Sequence, residues 1–134
     1  MSLLAFFDTN VLVYAFASGD PRSVRAEELM SEGGVVGVQV LNEFVAVSRR
    51  KLGREWDEIE AALAVTEELL GVARPLTAGI HAQALKLART QQLGFYDALI
   101  VAAAQDAGCR RLLTEDLQHG RTFGALRVHN PFLE

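Results

Sequence analysis

Cysteine is almost missing from this 134-residue sequence. Cys109 stands alone, which excludes an internal disulfide framework and suits a reducing cytoplasm. Its setting, Gly108-Cys109-Arg110-Arg111, reads as the entry to a strand, and a small core residue is expected there rather than a nucleophile. Long hydrophobic runs are missing too: the apolar stretches are short and interrupted, so none should span a bilayer. The start, Met1-Ser2-Leu3-Leu4-Ala5, has no basic segment and runs straight into Asp8, so no signal peptide is expected. Excess positive charge is absent as well, the net charge being −4. A plain nucleic-acid-binding module draws most of its affinity from phosphate contacts and is normally basic, so acidity argues against one. It leaves open a nuclease, whose carboxylates hold cations that in turn meet phosphate.

What is present is an ordinary globular composition, half hydrophobic and under a quarter charged, with no repeat, linker or low-complexity tract. Residues 1–134 are therefore read as one domain. Leu3 to Phe7 is an apolar run too short for a helix and reads as a buried strand ending at Asp8. A helix is expected from Asn10 to Ala17. Asp20-Pro21 has the form of a helix start, a capping carboxylate before a first-turn proline, with the helix running to Glu32 and stopping at Gly33-Gly34. Val35 to Val38 reads as a second buried strand. Helices should follow over Gln39–Lys51 and Glu55–Leu70, then an edge strand over Val72–Leu76 that accommodates Pro75. Thr77 should cap a helix reaching Gln92, and Phe95–Ala107 should form a strongly apolar one. Two short strands, Arg111–Leu113 and Ala125–Val128, complete the pattern. Strands alternating with helices predict a three-layer α/β/α fold with a mainly parallel sheet, whose ligands bind at the carboxyl ends of the strands.

Four acids stand out against that frame. Asp8 follows the first strand, where an aspartate is also an ordinary helix cap. Glu43 lies mid-helix on the same face as Val40 and Val47; a carboxylate there is costly unless an arginine or a metal ion faces it. Asp97 opens the most apolar helix, where the helix dipole favours an acid but burial requires something cationic opposite. Asp116 directly follows a strand, and Thr114 could cap a short helix there with Glu115 and Asp116 in its first turn. Glu115 is expected to be solvated, because adjacent residues point in different directions. Gathered at one crevice, four carboxylates would repel and raise one another's pKa values. A hard divalent cation removes that repulsion, and all-oxygen ligation suits Mg²⁺, with Mn²⁺ as a substitute. Zinc does not fit, since His81, His119 and His129 lack ligand spacing and read as surface or structural.

Phe7-Asp8-Thr9-Asn10-Val11-Leu12-Val13-Tyr14-Ala15, Leu41-Asn42-Glu43-Phe44, Phe95-Tyr96-Asp97-Ala98-Leu99-Ile100 and Leu113-Thr114-Glu115-Asp116 resemble, in order, the motifs of PIN-domain proteins. They are most similar to the VapC-like toxins of bacterial toxin–antitoxin pairs. The likeness runs through essentially the whole chain to Asn130-Pro131-Phe132. It implies a Mg²⁺-dependent endoribonuclease of the cytoplasm, homodimeric and inhibited by a small antitoxin. Asp8 and Asp97 would be the firmest metal ligands, Glu43 and Asp116 would complete the acidic pocket, and Thr114 would be a supporting hydroxyl at the substrate.

Substrate RNA needs positive charge near the acids. Arg49-Arg50-Lys51 with Arg54 closes the Glu43 helix, and Arg50 lies two turns from Glu43 on the same face; the plain alternative is pairing of basic residues with a helix C-terminus. A phosphotransferase of haloacid-dehalogenase type would want a second aspartate where this chain has Asn10, and a lysine in a comparable motif. A receiver domain would want paired acids after the first strand. The only lysines are Lys51 and Lys86, so neither class fits. A non-catalytic interaction module of the same fold is the remaining alternative. The stretch from Glu55 to Leu63, with Trp56, Ile59 and Leu63 on one side, serves either core packing or a dimer or antitoxin surface.

Overall fold

The computed structural model describes residues 4–133; Leu3, like Met1, Ser2 and Glu134, lies outside the described residues. β1 (Ala5–Phe7) pairs in parallel with β2 (Arg111–Leu113), and β2 in parallel with β4 (Leu126–His129). β3 (Thr122–Phe123) closes the far edge antiparallel to β4, giving the order β1-β2-β4-β3. The β1 side chains are buried on both faces, as continuous apolar runs in parallel sheets are.

Helices cover the sheet on both sides. α5 (Ala78–Gln91) packs along α6 (Phe95–Asp106), whose residues from Ala98 to Ala104 are all buried. The absence of any polar residue in that stretch makes α6 a core helix rather than an amphipathic one. α1 (Thr9–Ala15) packs on α2 (Ser23–Glu32) and α3 (Val38–Arg50), and both of these contact α4 (Trp56–Leu70). Thr77 caps α5 by accepting from the Ile80 N–H at 3.1 Å. The result is the expected α/β/α fold with a mostly parallel sheet. No helix among the described residues is long and apolar enough to cross a membrane.

Three local expectations are corrected. Val35–Val38 and Val72–Leu76 are not strands of the sheet but single parallel bridges, Phe6 with Val35 and Gly37 with Arg74. The helix α3 begins at Val38, earlier than Gln39, and takes over the backbone that would have extended the first of them. Gly34 holds the chain at φ 155°, and a Cβ there would stand 2.6 Å from both the Ala5 carbonyl oxygen and Phe7 Cε1, so only glycine lets Val35 reach β1. Pro75, next to Arg74, offers no N–H to extend the second bridge. Asp20 does not cap α2: its carboxylate accepts from the Arg22 N–H at 2.9 Å in a turn, and α2 starts at Ser23. β3 was not foreseen, two residues being too few to show alternation.

Candidate functional site

Asp8 is the residue at which β1 becomes α1. Its backbone is extended and its Oδ1 accepts from the Thr9 N–H at 2.7 Å, so it does cap the helix. Its N–H donates to the Leu113 carbonyl at 3.0 Å, which fixes it beside the end of β2. One residue further, Thr114 donates its hydroxyl to Asp8 Oδ2 at 2.7 Å. The same hydroxyl oxygen accepts from the Asp116 N–H at 3.0 Å and from Asn10 Nδ2 at 3.1 Å. Asn10 Nδ2 also stands 3.1 Å from Asp116 Oδ2, and Asn10 Oδ1 accepts from the Glu115 N–H at 3.3 Å. Asn10 therefore straps the 114–116 turn to α1. Its role went unread because an asparagine after a strand looks like an ordinary capping residue.

Glu43 reaches the same place from α3. Thr9 Oγ1 donates to its Oε2 at 2.9 Å and Gln39 Nε2 to its Oε1 at 3.0 Å. Asp97 stands in the first turn of α6, whose cap is Gly94, and it is half-buried. Asp8 is almost fully buried and Thr114 completely so, whereas Asp116 is exposed.

The electrostatics tie the four acids together. Burial pushes the Asp8 carboxyl up to about 6; the bonds from Thr114 and Thr9 act against that rise, and the charges of Asp116 and Glu43 add to it. Asp97 is also raised, first by burial, then by Asp116 and Glu43. Asp8 and Asp97 thus each feel Asp116 and Glu43 as like charges. Among the described residues none of the four is in an ion pair; their partners are neutral hydroxyl, amide and backbone donors. An all-oxygen set without a cation of its own suits a hard divalent ion. Its geometry is open rather than closed: among the described residues no three His, Cys, Asp or Glu side chains already stand as a ligand set.

A cavity of about 260 Å³ opens beside Glu43 and Asp116, lined also by Thr9, Asn10, Tyr14 and Val47; Asp8 and Asp97 do not line it. A larger cleft of about 520 Å³ between α3, α4 and the 71–73 segment is walled mostly by aliphatic side chains and contains none of the four. Arg50 is exposed at the last turn of α3, one turn beyond Val47. Glu115 corrects the expectation of a solvated side chain. It is 27% exposed, accepts from the Tyr14 hydroxyl and lies 3.6 Å from Arg22. Arg22 in turn donates to the Tyr14 oxygen at 2.7 Å and stacks 3.8 Å over its ring. Cys109 is buried, and that burial raises its thiol to about 11, as befits an inert core residue. Of the α4 stretch, Ile59 is buried, while Trp56 is 53% exposed beneath the Arg49 guanidinium.

The chain is thus an α/β protein with an acidic site at the carboxyl edge of its parallel strands. A family model described as PIN domain matches residues 5–123, and the chain belongs to that family. No curated protein matches it in sequence. Among solved structures it is similar to VapC20 of Mycobacterium tuberculosis, described as a sarcin-ricin loop cleaving toxin, at 23% identity and TM-score 0.68, over 84% of this chain and 91% of that one. It is similar to a toxin–antitoxin complex from Klebsiella pneumoniae at 19% identity and TM-score 0.72, over 96% and 98% of the two chains. VapBC2 of Rickettsia felis, bound to a DNA fragment from its promoter, aligns at 19% identity and TM-score 0.69 over the same shares. At these identities the likeness is one of fold.

Proposed function

We propose that the protein is a Mg²⁺-dependent endoribonuclease, the toxin of a toxin–antitoxin pair, with Asp8, Glu43, Asp97 and Asp116 holding the metal. The observation that carries this reading is that buried Asp8 and half-buried Asp97, each raised first by burial and further by Asp116 and Glu43, have no arginine or lysine paired to them among the described residues. When bound, one or two divalent ions supply Lewis acidity and an acidified water for phosphodiester hydrolysis. The protein's own part is placement. Thr114 and the Thr9 N–H hold Asp8 in one rotamer, Asn10 holds the turn that carries Asp116, and Thr9 with Gln39 holds Glu43. The Asp116 carboxylate has one such bond, from Asn10, and Asp97 has none among the described residues. Glu43 or Asp116 accepts the proton of the attacking water. Thr114 acts through Asp8 and not on the RNA, being fully buried. Arg50 is a candidate phosphate contact at the rim.

The toxin–antitoxin neighbours support a small protein antitoxin as partner; a homodimer working in the cytoplasm completes the proposal. The experiment is to sequence RNA 5′ ends after expressing the wild-type chain beside Asp8→Asn. New ends at defined sites that vanish in the variant are expected. Identical end profiles for the two proteins would overturn the assignment.

A further inference from the structure

The acidic site has a basic counterpart on the same strands. Arg111 of β2 and Arg127 of β4 are register partners, as are Leu113 and His129 two residues on. Register partners on neighbouring strands share a face, roughly 5 Å apart. The two arginines therefore stand side by side, while Leu112 and Val128, fully buried, point the other way. Like charges set directly opposite are unfavourable. Even so, neither arginine has an ion-pair partner among the described residues, and Arg111 Nε is buried with no hydrogen-bond acceptor.

Further basic residues gather at this face. The His119 and His129 rings lie 5.4 Å apart, and Arg25 of α2 is near enough, with Arg111 and His119, to oppose protonation of His129 after burial has already lowered its pKa. Arg25 has only the exposed Glu28 beside it, at 3.5 Å. In a chain of net charge −4 such a strip is not a by-product of general basicity. It also adjoins the acids through the backbone. Thr114 follows Leu113 directly, donates its N–H to the His129 carbonyl at 3.2 Å, and touches Asp8.

We propose that the strip of Arg25, Arg111 and Arg127 binds the sugar-phosphate backbone of single-stranded RNA, leading the strand to the carboxylates at the end of β2. The choice of RNA rests on the ribonuclease reading above; the need for a polyanion does not. Arg127 and Arg25, both reaching solvent, and the accessible part of Arg111 would each take one phosphate.

The test is fluorescence anisotropy with a labelled single-stranded RNA oligonucleotide in EDTA, repeated over a series of salt concentrations. Arg127→Ala removes an exposed charge, and Arg111→Gln removes the partly buried one while keeping polarity; circular dichroism melts check the fold of the second. Each variant should bind about fivefold more weakly near 0.1 M salt, with the log–log salt slope shallower by about 0.7. Arg127→Glu should weaken binding further. Unchanged affinity and slope in both Arg127 variants overturns the proposal, as does a slope that responds only to Arg50→Ala. Polyglutamate bound as tightly as RNA through the same arginines also overturns it, in favour of an acidic protein partner. If the strip variants lose RNA affinity while the wild type cleaves no RNA, the strip stands and the ribonuclease reading fails. Cleavage that persists with unaltered salt slopes has the opposite meaning.

Discussion

The Thr114 hydroxyl donates to Asp8 Oδ2 at 2.7 Å, joining two residues 106 positions apart at the ends of adjacent parallel strands. That oxygen also accepts from Asn10 and from the Asp116 N–H, so one buried hydroxyl organises three elements. Thr114→Val keeps the shape and removes all three bonds. It should cost roughly 1–3 kcal/mol of stability, because polar groups are left unpaired. Thr114→Ser should cost well under half as much. Urea denaturation of the two variants measures the difference, and equal midpoints would show that the hydroxyl is not structural.

The pH dependence follows from Asp8. Its carboxyl is raised from 3.8 to about 6, so the metal-free folded state binds its proton more tightly than the unfolded state. The stabilisation from that proton is complete below 3.8 and is lost as pH rises through about 6. A divalent ion reverses the balance, because it binds the ionised form. Thermal melts of the wild type should show a large upward shift on adding Mg²⁺ at neutral pH and almost none near pH 5. A shift independent of pH between those points would remove Asp8 from the ligand set.

Tyr14 links α1 to the turn that carries Asp116. Its hydroxyl stands between Arg22 and Glu115, and its ring packs edge-on to Phe132 at 5.1 Å. Tyr14→Phe keeps the ring contacts and deletes the link. Hydrogen exchange at the Glu115 and Asp116 amides should quicken several-fold while the β1 amides are unaffected. Unchanged protection would show that Asn10 alone holds the turn.

Gly34 and Gly71 separate two costs of glycine replacement. Both have positive φ, at 155° and 80°, but a Cβ at Gly71 meets nothing, whereas at Gly34 it meets the β1 backbone at 2.6 Å. Gly71→Ala should cost about 1 kcal/mol, from backbone strain alone. Gly34→Ala should exceed it by at least about 2 kcal/mol, through displacement of β1. Denaturation midpoints give both values; similar costs would mean that the bridge at Val35 gives way freely.

Much of this was legible along the chain. The apolar run ending at Asp8 and the unbroken apolar stretch behind Asp97 both identify buried elements by composition alone, and each carries its acid at the end nearest the site. Glu43 was legible because a charge on an apolar helical face needs a partner. Asn10 was not, since its function depends on which turn folds against it, and that turn lies more than 100 residues away. Glu115 was misjudged for the same reason: its partners Tyr14 and Arg22 come from elements distant in sequence. Val35–Val38 has the composition of a strand, but the early start of α3 left it a single bridge. The register that sets Arg111 beside Arg127 exists only once β2 and β4 pair.

In the proposed function, acids from four separate segments share a divalent ion. Calorimetric titration of Mn²⁺ into the wild type, Asp8→Asn and Asp97→Asn proteins at neutral pH probes that sharing. One or two ions should bind the wild type, with affinity reduced at least about tenfold in each variant. Absence of binding to the wild type, or equal affinity in all three, would contradict it.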